Sequence, residues 1–264
     1  ALHWPIAFPA AFHRTNPGFD AVVGNPPWEE ITVEELAFYA RYRPGLRALP
    51  ERARRAELAA LLEERPDLPE ALAREKERVA RERRYFATAG AYESDGGDPD
   101  TYKLFCQRYR HVLRDGGALG VVLPRSALSA KGSAAFRRWL FERSAPRRID
   151  FLLNAGRWAF DMEPRYTVAL FVAERRRPDP DEPVEVAGVA GSARAFAAQV
   201  EAPGLRLARA ALGPALEVPL LPTQAAADLL ARLRFGRPFP FGGGRWRCFP
   251  VRELDETNDR HLWE

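Results

Sequence analysis

The sequence predicts an α/β fold, and three observations carry that expectation. Short apolar runs alternate with longer helix-forming stretches through the first 175 residues, the pattern of strands interleaved with helices. One run, 118–123 (Ala-Leu-Gly-Val-Val-Leu), is continuously apolar, as a central strand covered on both faces requires. Another, 19–24 (Phe-Asp-Ala-Val-Val-Gly), runs straight into Asn25-Pro26-Pro27-Trp28. Two consecutive prolines fix φ and remove two N–H groups, so this segment neither continues a ladder nor enters a helix. At 264 residues and 46% hydrophobic, the chain can bury a full core, and one domain with an appendage is the expectation.

The elements follow in order. After Trp28, residues 30–40 can form a helix with Thr32 as N-cap and Glu35 as its capping-box partner, ended by Pro44. Residues 51–86 are dense in Glu, Arg, Ala and Leu, with Leu58, Leu61, Leu62, Leu68, Leu72, Val79 and Phe86 at mostly helical spacing and breaks at Pro66 and Pro69. This reads as a helical insertion spanning about 50–87, whose nearly cancelling charges suit a solvated face better than a phosphate grip. Residues 93–100 form a loop that can close over a site. A helix opens at Asp100 and stops at Gly116-Gly117, and the apolar strand 118–123 follows and ends at Pro124-Arg125-Ser126. Residues 133–143 form an amphipathic helix with Phe136, Leu140 and Ala134 inward; 148–153 and 165–173 are strands expected to pair antiparallel at one sheet edge. Beyond a charged, Pro-rich link at 175–183, a strand at 184–189 and helices at 192–200 and 224–233 are expected outside the central sheet. Gly242-Gly243-Gly244 reads as a joint into a new element.

Composition narrows the function classes. No apolar run approaches the roughly 18 residues of a membrane span, and no basic-then-apolar leader opens the chain, which points to the cytoplasm and away from a membrane partner. Cys106 and Cys248 lack His or Cys neighbours at metal-ligand spacing, so no metal site is expected. The net charge of +4 rests almost entirely on arginine: only Lys76, Lys103 and Lys131 are lysines among 40 basic residues. With the abundant Ala and Pro this suggests GC-rich coding; it permits phosphate contacts to DNA without requiring them.

The chemistry lies in residues 25–28. The Asn25 side-chain carbonyl and the backbone carbonyls around Pro26 and Pro27 can converge on one amino group beside the flat face of Trp28. That is a cradle for a planar base bearing an NH₂. The competing reading is a simple strand-ending turn.

Asn25-Pro26-Pro27-Trp28 with the preceding Gly18-Phe19-Asp20-Ala21-Val22-Val23-Gly24 resembles the Asn/Asp-Pro-Pro-aromatic signature of amino-group methyltransferases that use S-adenosyl-L-methionine. The helix, Gly-Gly turn, apolar strand and Pro-x-Ser ending at 100–126 resemble the segment after that signature. The resemblance is to the large adenine-specific (N6) DNA methyltransferases of type IIG restriction–modification and of phage-exclusion systems such as BREX and DISARM. It implies the C-terminal half of a Rossmann-like S-adenosylmethionine-dependent methyltransferase sheet, with a helical insertion and the start of an α+β region. By the same resemblance residues 1–175 are the catalytic part, 176–245 a linker with a small α/β extension, and 246–264 the start of a target recognition region. Asn25, Pro26, Pro27 and Trp28 would be catalytic, Asn25 and Pro26 would also touch the cofactor, and Trp28 with Phe160 would stack the base. Trp158 is the alternative to Phe160, and packing of both rings under the hairpin is the competing reading. The implied partners are double-stranded DNA and restriction or defence-system subunits.

The glycine-rich cofactor turn is not found in this sequence, since Gly188-Val189-Ala190-Gly191-Ser192 reads as a strand-to-helix connection. The chain begins with Ala1 and has only Met162, and reads as a fragment whose strand 19–24 would present an apolar edge and whose solubility alone would be poor. Two further alternatives stay open: a protein glutamine or RNA adenine methyltransferase, and a non-catalytic DNA-binding or scaffold fragment.

Overall fold

The computed structural model describes residues 2–88, 92, 100–164 and 166–235. Six strands form one mixed sheet in the order β1-β2-β4-β3-β5-β6: β1 (Phe19–Gly24), β2 (Leu113–Pro124), β3 (Ala145–Leu153), β4 (Thr167–Glu174), β5 (Val184–Ala190) and β6 (Leu205–Leu207). The helices are α1 (Trp4–Ala7), α2 (Pro9–Phe12), α3 (Glu35–Ala40), α4 (Glu51–Glu64), α5 (Leu68–Thr88), α6 (Thr101–Val112), α7 (Arg125–Ser129), α8 (Ala134–Arg143), α9 (Ala193–Glu201) and α10 (Gln224–Phe235). The predicted α/β class is what the chain adopts. None of the described helices is long and apolar enough to cross a membrane.

Strand direction matters for the site. β1 and β2 are parallel, β4 runs antiparallel to both β2 and β3, and β5 is parallel to β3. The C-terminal ends of β1, β2 and β3 therefore gather at the end where β4 begins. Crevices at the carboxyl ends of strands are where open α/β sheets bind ligands.

Side chains leave a strand on alternate faces, and two cores result. Leu119, Val121 and Leu123 of β2, Ile149 and Phe151 of β3, and Ala169 and Phe171 of β4 pack on one face with Tyr102 and Cys106 of α6 and Phe136, Leu140 and Phe141 of α8. Val122, Leu152, Val168 and Leu170 face the other way, against Trp28, Trp158, Phe160 and Phe196. At the near edge of the sheet, Phe19 of β1 is ringed by Trp4, Phe8 and Phe12. Val23, further along β1, is 86% exposed.

Four expectations are corrected. The helix expected to run from Asp100 to Gly116-Gly117 ends at Val112, and β2 starts at Leu113, so both glycines lie inside the strand. The helix expected at 30–40 starts only at Glu35, with no side-chain cap, because Glu30 pairs with Asp100 in an isolated bridge and holds the preceding residues extended. The pair 148–153 and 165–173 is antiparallel but not at an edge: β4 lies between β2 and β3, since its run from Val168 to Ala173 is apolar on both faces. The strand expected outside the sheet, β5, extends it by pairing with β3.

The helical insertion forms as expected at α4 and α5, which build a separate core from Phe38, Tyr39, Leu46, Leu61, Leu68 and Leu72. Ser192 caps α9 by accepting the Ala195 N–H at 3.2 Å. The loop expected at 93–100, apart from Asp100, the joint at 242–244, Cys248 and the recognition lead at 246–264 lie outside the described residues.

Candidate functional site

The polypeptide leaves β1 through a tight exit. A Cβ on Gly24 would lie 2.5 Å from the Tyr109 hydroxyl oxygen, so any larger residue would have to push the Tyr109 ring of α6 aside. Pro26 is buried, Asn25 and Pro27 are exposed, and Trp28 is half-buried. Among the described residues nothing donates to or accepts from the Asn25 side chain, which faces a cleft of about 950 Å³.

Two contacts hold the turn from outside. The Trp28 indole N–H donates to the Val122 carbonyl of β2 at 3.4 Å. The Thr101 hydroxyl at the start of α6 lies 3.0 Å from the Pro27 carbonyl oxygen and 2.6 Å from that of Glu29.

The opposite wall is the connection from β3 to β4. Asn154, fully buried at the end of β3, accepts the N–H groups of Ala159 and Phe160 at 3.2 and 3.1 Å and donates to the Phe160 carbonyl at 2.8 Å. Gly156 at φ +76° and Arg157 at φ +58° turn the chain back so that these bonds can form. Phe160 and Met162 then line the cleft. Trp158 does not: its indole N–H donates to the Leu153 carbonyl at 2.9 Å, and its ring packs against Phe196 of α9. The structure thus brings Asn25, Pro26, Trp28 and Phe160 to one cleft and leaves Pro27 and Trp158 off its lining.

The floor is polar. Lys103 and Asp100 form a largely buried ion pair at 2.9 Å. The Tyr102 hydroxyl is 3.4 Å from that of Ser133, and burial pushes the Tyr102 phenol well above its ordinary range, so it acts there as a neutral hydrogen-bonding group. Glu29, Glu30, Asp100 and Asp161 outnumber Lys103 around the cleft, a lining that suits a neutral or cationic guest better than a bare phosphate.

Beneath the floor, Arg137 is wholly buried and donates to the carbonyls of Ala130 at 2.6 Å and Ala215 at 2.9 Å, which fixes the turn carrying Ser126, Ala130 and Ser133. Burial also raises the Cys106 thiol far above its ordinary value, so that sulfur is packing material and not a nucleophile. No cluster of His, Cys, Asp and Glu able to hold a metal occurs among the described residues.

Sequence reasoning missed Thr101, Asn154, Arg137 and the Asp100–Lys103 pair as parts of the site. Only Asn154 carried a local signal, an asparagine at a strand end.

No family model and no curated protein matches the chain. Solved structures similar to part of it include the type IIG restriction endonuclease BpuSI, at 24% identity over 34% of this chain and 10% of that one, with a TM-score of 0.29. A modification subunit of a putative type I restriction enzyme from Vibrio vulnificus matches at 17% identity over 42% of this chain and 26% of its own, with a TM-score of 0.34. A putative class I S-adenosylmethionine-dependent methyltransferase from Listeria monocytogenes matches at 14% over 38% and 29%, with a TM-score of 0.30. The chain spans less than a third of the length of each.

Proposed function

We propose that this chain is the target-base side of a site-specific DNA adenine N6-methyltransferase of restriction–modification or phage defence. The observation that carries the reading is the convergence of Asn25, Pro26, Trp28 and Phe160 on one cleft, with the Asn25 amide left without a partner among the described residues. Because Asn25 is exposed, its amide can exchange water for a guest, and its place beside two aromatic side chains suits a planar one with hydrogens to give.

An exocyclic N6 amine is a weak nucleophile because its lone pair is delocalised into the ring. In this reading the Asn25 side-chain carbonyl and the Pro26 carbonyl each accept one N6 hydrogen, which localises the lone pair on nitrogen and aims it. S-adenosyl-L-methionine supplies the electrophilic methyl group when bound. The new N–C bond forms as the S–C bond breaks, and one N6 proton is released to solvent, so no covalent enzyme intermediate is needed. Asn25 and Pro26 would also border the cofactor, and the acidic lining suits its sulfonium charge.

The adenine must leave the duplex to reach the cleft, at a cost of a few kcal/mol. Stacking between Trp28 and Phe160 offsets this, at roughly 1 to 3 kcal/mol per ring.

The test is Asn25→Ala in the complete gene product. Methyl transfer to DNA should fall by roughly a hundredfold or more, while DNA and cofactor affinity stay within a few-fold. Full activity in the variant overturns the assignment. Methylated glutamine or RNA with unmethylated DNA would redirect it to another amino-group acceptor.

A further inference from the structure

The backbone of the Asn25 turn has little with which to tether itself. Pro26 and Pro27 contribute no N–H, and the β1 ladder stops at Gly24, opposite Val121. Apart from the long Trp28 indole bond to the Val122 carbonyl, what holds residues 25–29 reaches them from another element. Thr101 does so at two points, across more than 70 residues of sequence: its hydroxyl is within hydrogen-bond distance of the Pro27 and Glu29 carbonyls, and its own N–H donates to the Glu29 carbonyl at 3.0 Å. Beside it, Glu30 and Asp100 form an antiparallel bridge.

We propose that Thr101 is the positioning residue of the acceptor turn. Its single hydroxyl proton is shared between two carbonyls of the turn, which pins that backbone to the N-terminus of α6. The Pro27 carbonyl is thereby engaged away from the cleft, and Asn25 with Pro26 are the pair presented to an NH₂ group. The inference rests on the reading of Asn25 as an acceptor, but the clasp itself is a property of the fold and can be measured without activity.

The experiment compares the complete protein with Thr101→Val, which removes the hydroxyl and keeps the shape, and with Thr101→Ser, which restores the hydroxyl. Hydrogen–deuterium exchange of the amides between Trp28 and Thr32 should rise about three- to tenfold in Thr101→Val, as loss of one hydrogen bond predicts. It should return to wild type in Thr101→Ser. Turnover should fall by roughly tenfold or more in Thr101→Val, with KM for DNA and cofactor within about twofold, because misplacement of reacting groups acts on the chemical step. Thr101→Ala is a second deletion and should match valine.

Unchanged exchange in both deletions, failure of serine to restore it, or raised exchange with wild-type turnover would each overturn the proposal. If the wild-type protein methylates nothing, the methyltransferase reading fails, and the exchange comparison by itself upholds or overturns the clasp.

Discussion

Phe160 reaches the cleft because of a side chain six residues before it. Asn154 spends its amide on three hydrogen bonds to the backbone of Ala159 and Phe160, in a site with no exposure to water. Asn154→Ala would leave two N–H groups and a carbonyl without these partners, at a cost of roughly 1 to 3 kcal/mol. A urea melt should show the loss, and amide exchange should rise between residues 158 and 162. Asn154→Asp keeps the acceptors but sets a carboxylate against the Phe160 carbonyl, and should be no better than alanine. The comparison also shows what a sequence discloses at this scale. The turn at Asn25 to Trp28 was legible because proline chemistry is local. Thr101 and Asn154 were not, because their meaning lies in partners that only the folded chain supplies. The predicted cap at Thr32 failed for the same reason: a bridge to Asp100 competes for the residues that the helix would have used.

At the level of elements, strands and helices followed from periodicity, whereas their neighbours did not. Hydrophobic alternation tells which face is buried but not which strand lies alongside. β4 illustrates the limit and the remedy. Its burial alternates along most of its length, as it does in β2, with Val168 and Pro124 the buried residues on the second face. But its run from Val168 to Ala173 carries no polar side chain, and that is the mark of an interior strand. The insertion is the clearest case of an element set with its own energetics. Its buried residues form a cluster that shares no buried member with the sheet core, and its charged surface is matched internally, as in Arg41–Glu75 and Arg43–Glu64 at 2.8 Å each. Leu61, 2% exposed at the centre of that cluster, should cost about 2 to 5 kcal/mol when cut to alanine. Because the two cores are separate, exchange should accelerate across residues 35–88 first while β2 and β4 keep their protection. Uniform acceleration across the sheet would show that the insertion and the sheet unfold together.

Across the whole molecule the excess of positive charge is less available than its size suggests, because many guanidinium groups are committed to carboxylates. Arg114, with Arg14, holds the Asp20 carboxyl below its ordinary range; Arg65 does the same for Asp67, Arg147 with Arg176 for Glu174, and Arg176 for Glu182. The sign follows directly. A carboxyl whose folded value is depressed stabilises the fold fully above its unfolded value, near 3.8 for Asp and 4.5 for Glu, and loses that contribution as pH falls through the folded value. The denaturation midpoint should therefore hold steady from neutrality to about pH 5 and decline below it. These pairs are largely exposed, so about 1 M salt should weaken the contribution they make and flatten the decline. Glu182 is the most connected of them: it accepts from Arg176 at 2.6 and 2.9 Å and from the Asp179 N–H at 3.3 Å, and lies 3.6 Å from Arg147. Glu182→Gln removes one titrating group from this network while keeping its shape. The acid limb of its stability curve should be shallower than that of wild type, and an identical limb would show that Glu182 does not contribute to the acid sensitivity.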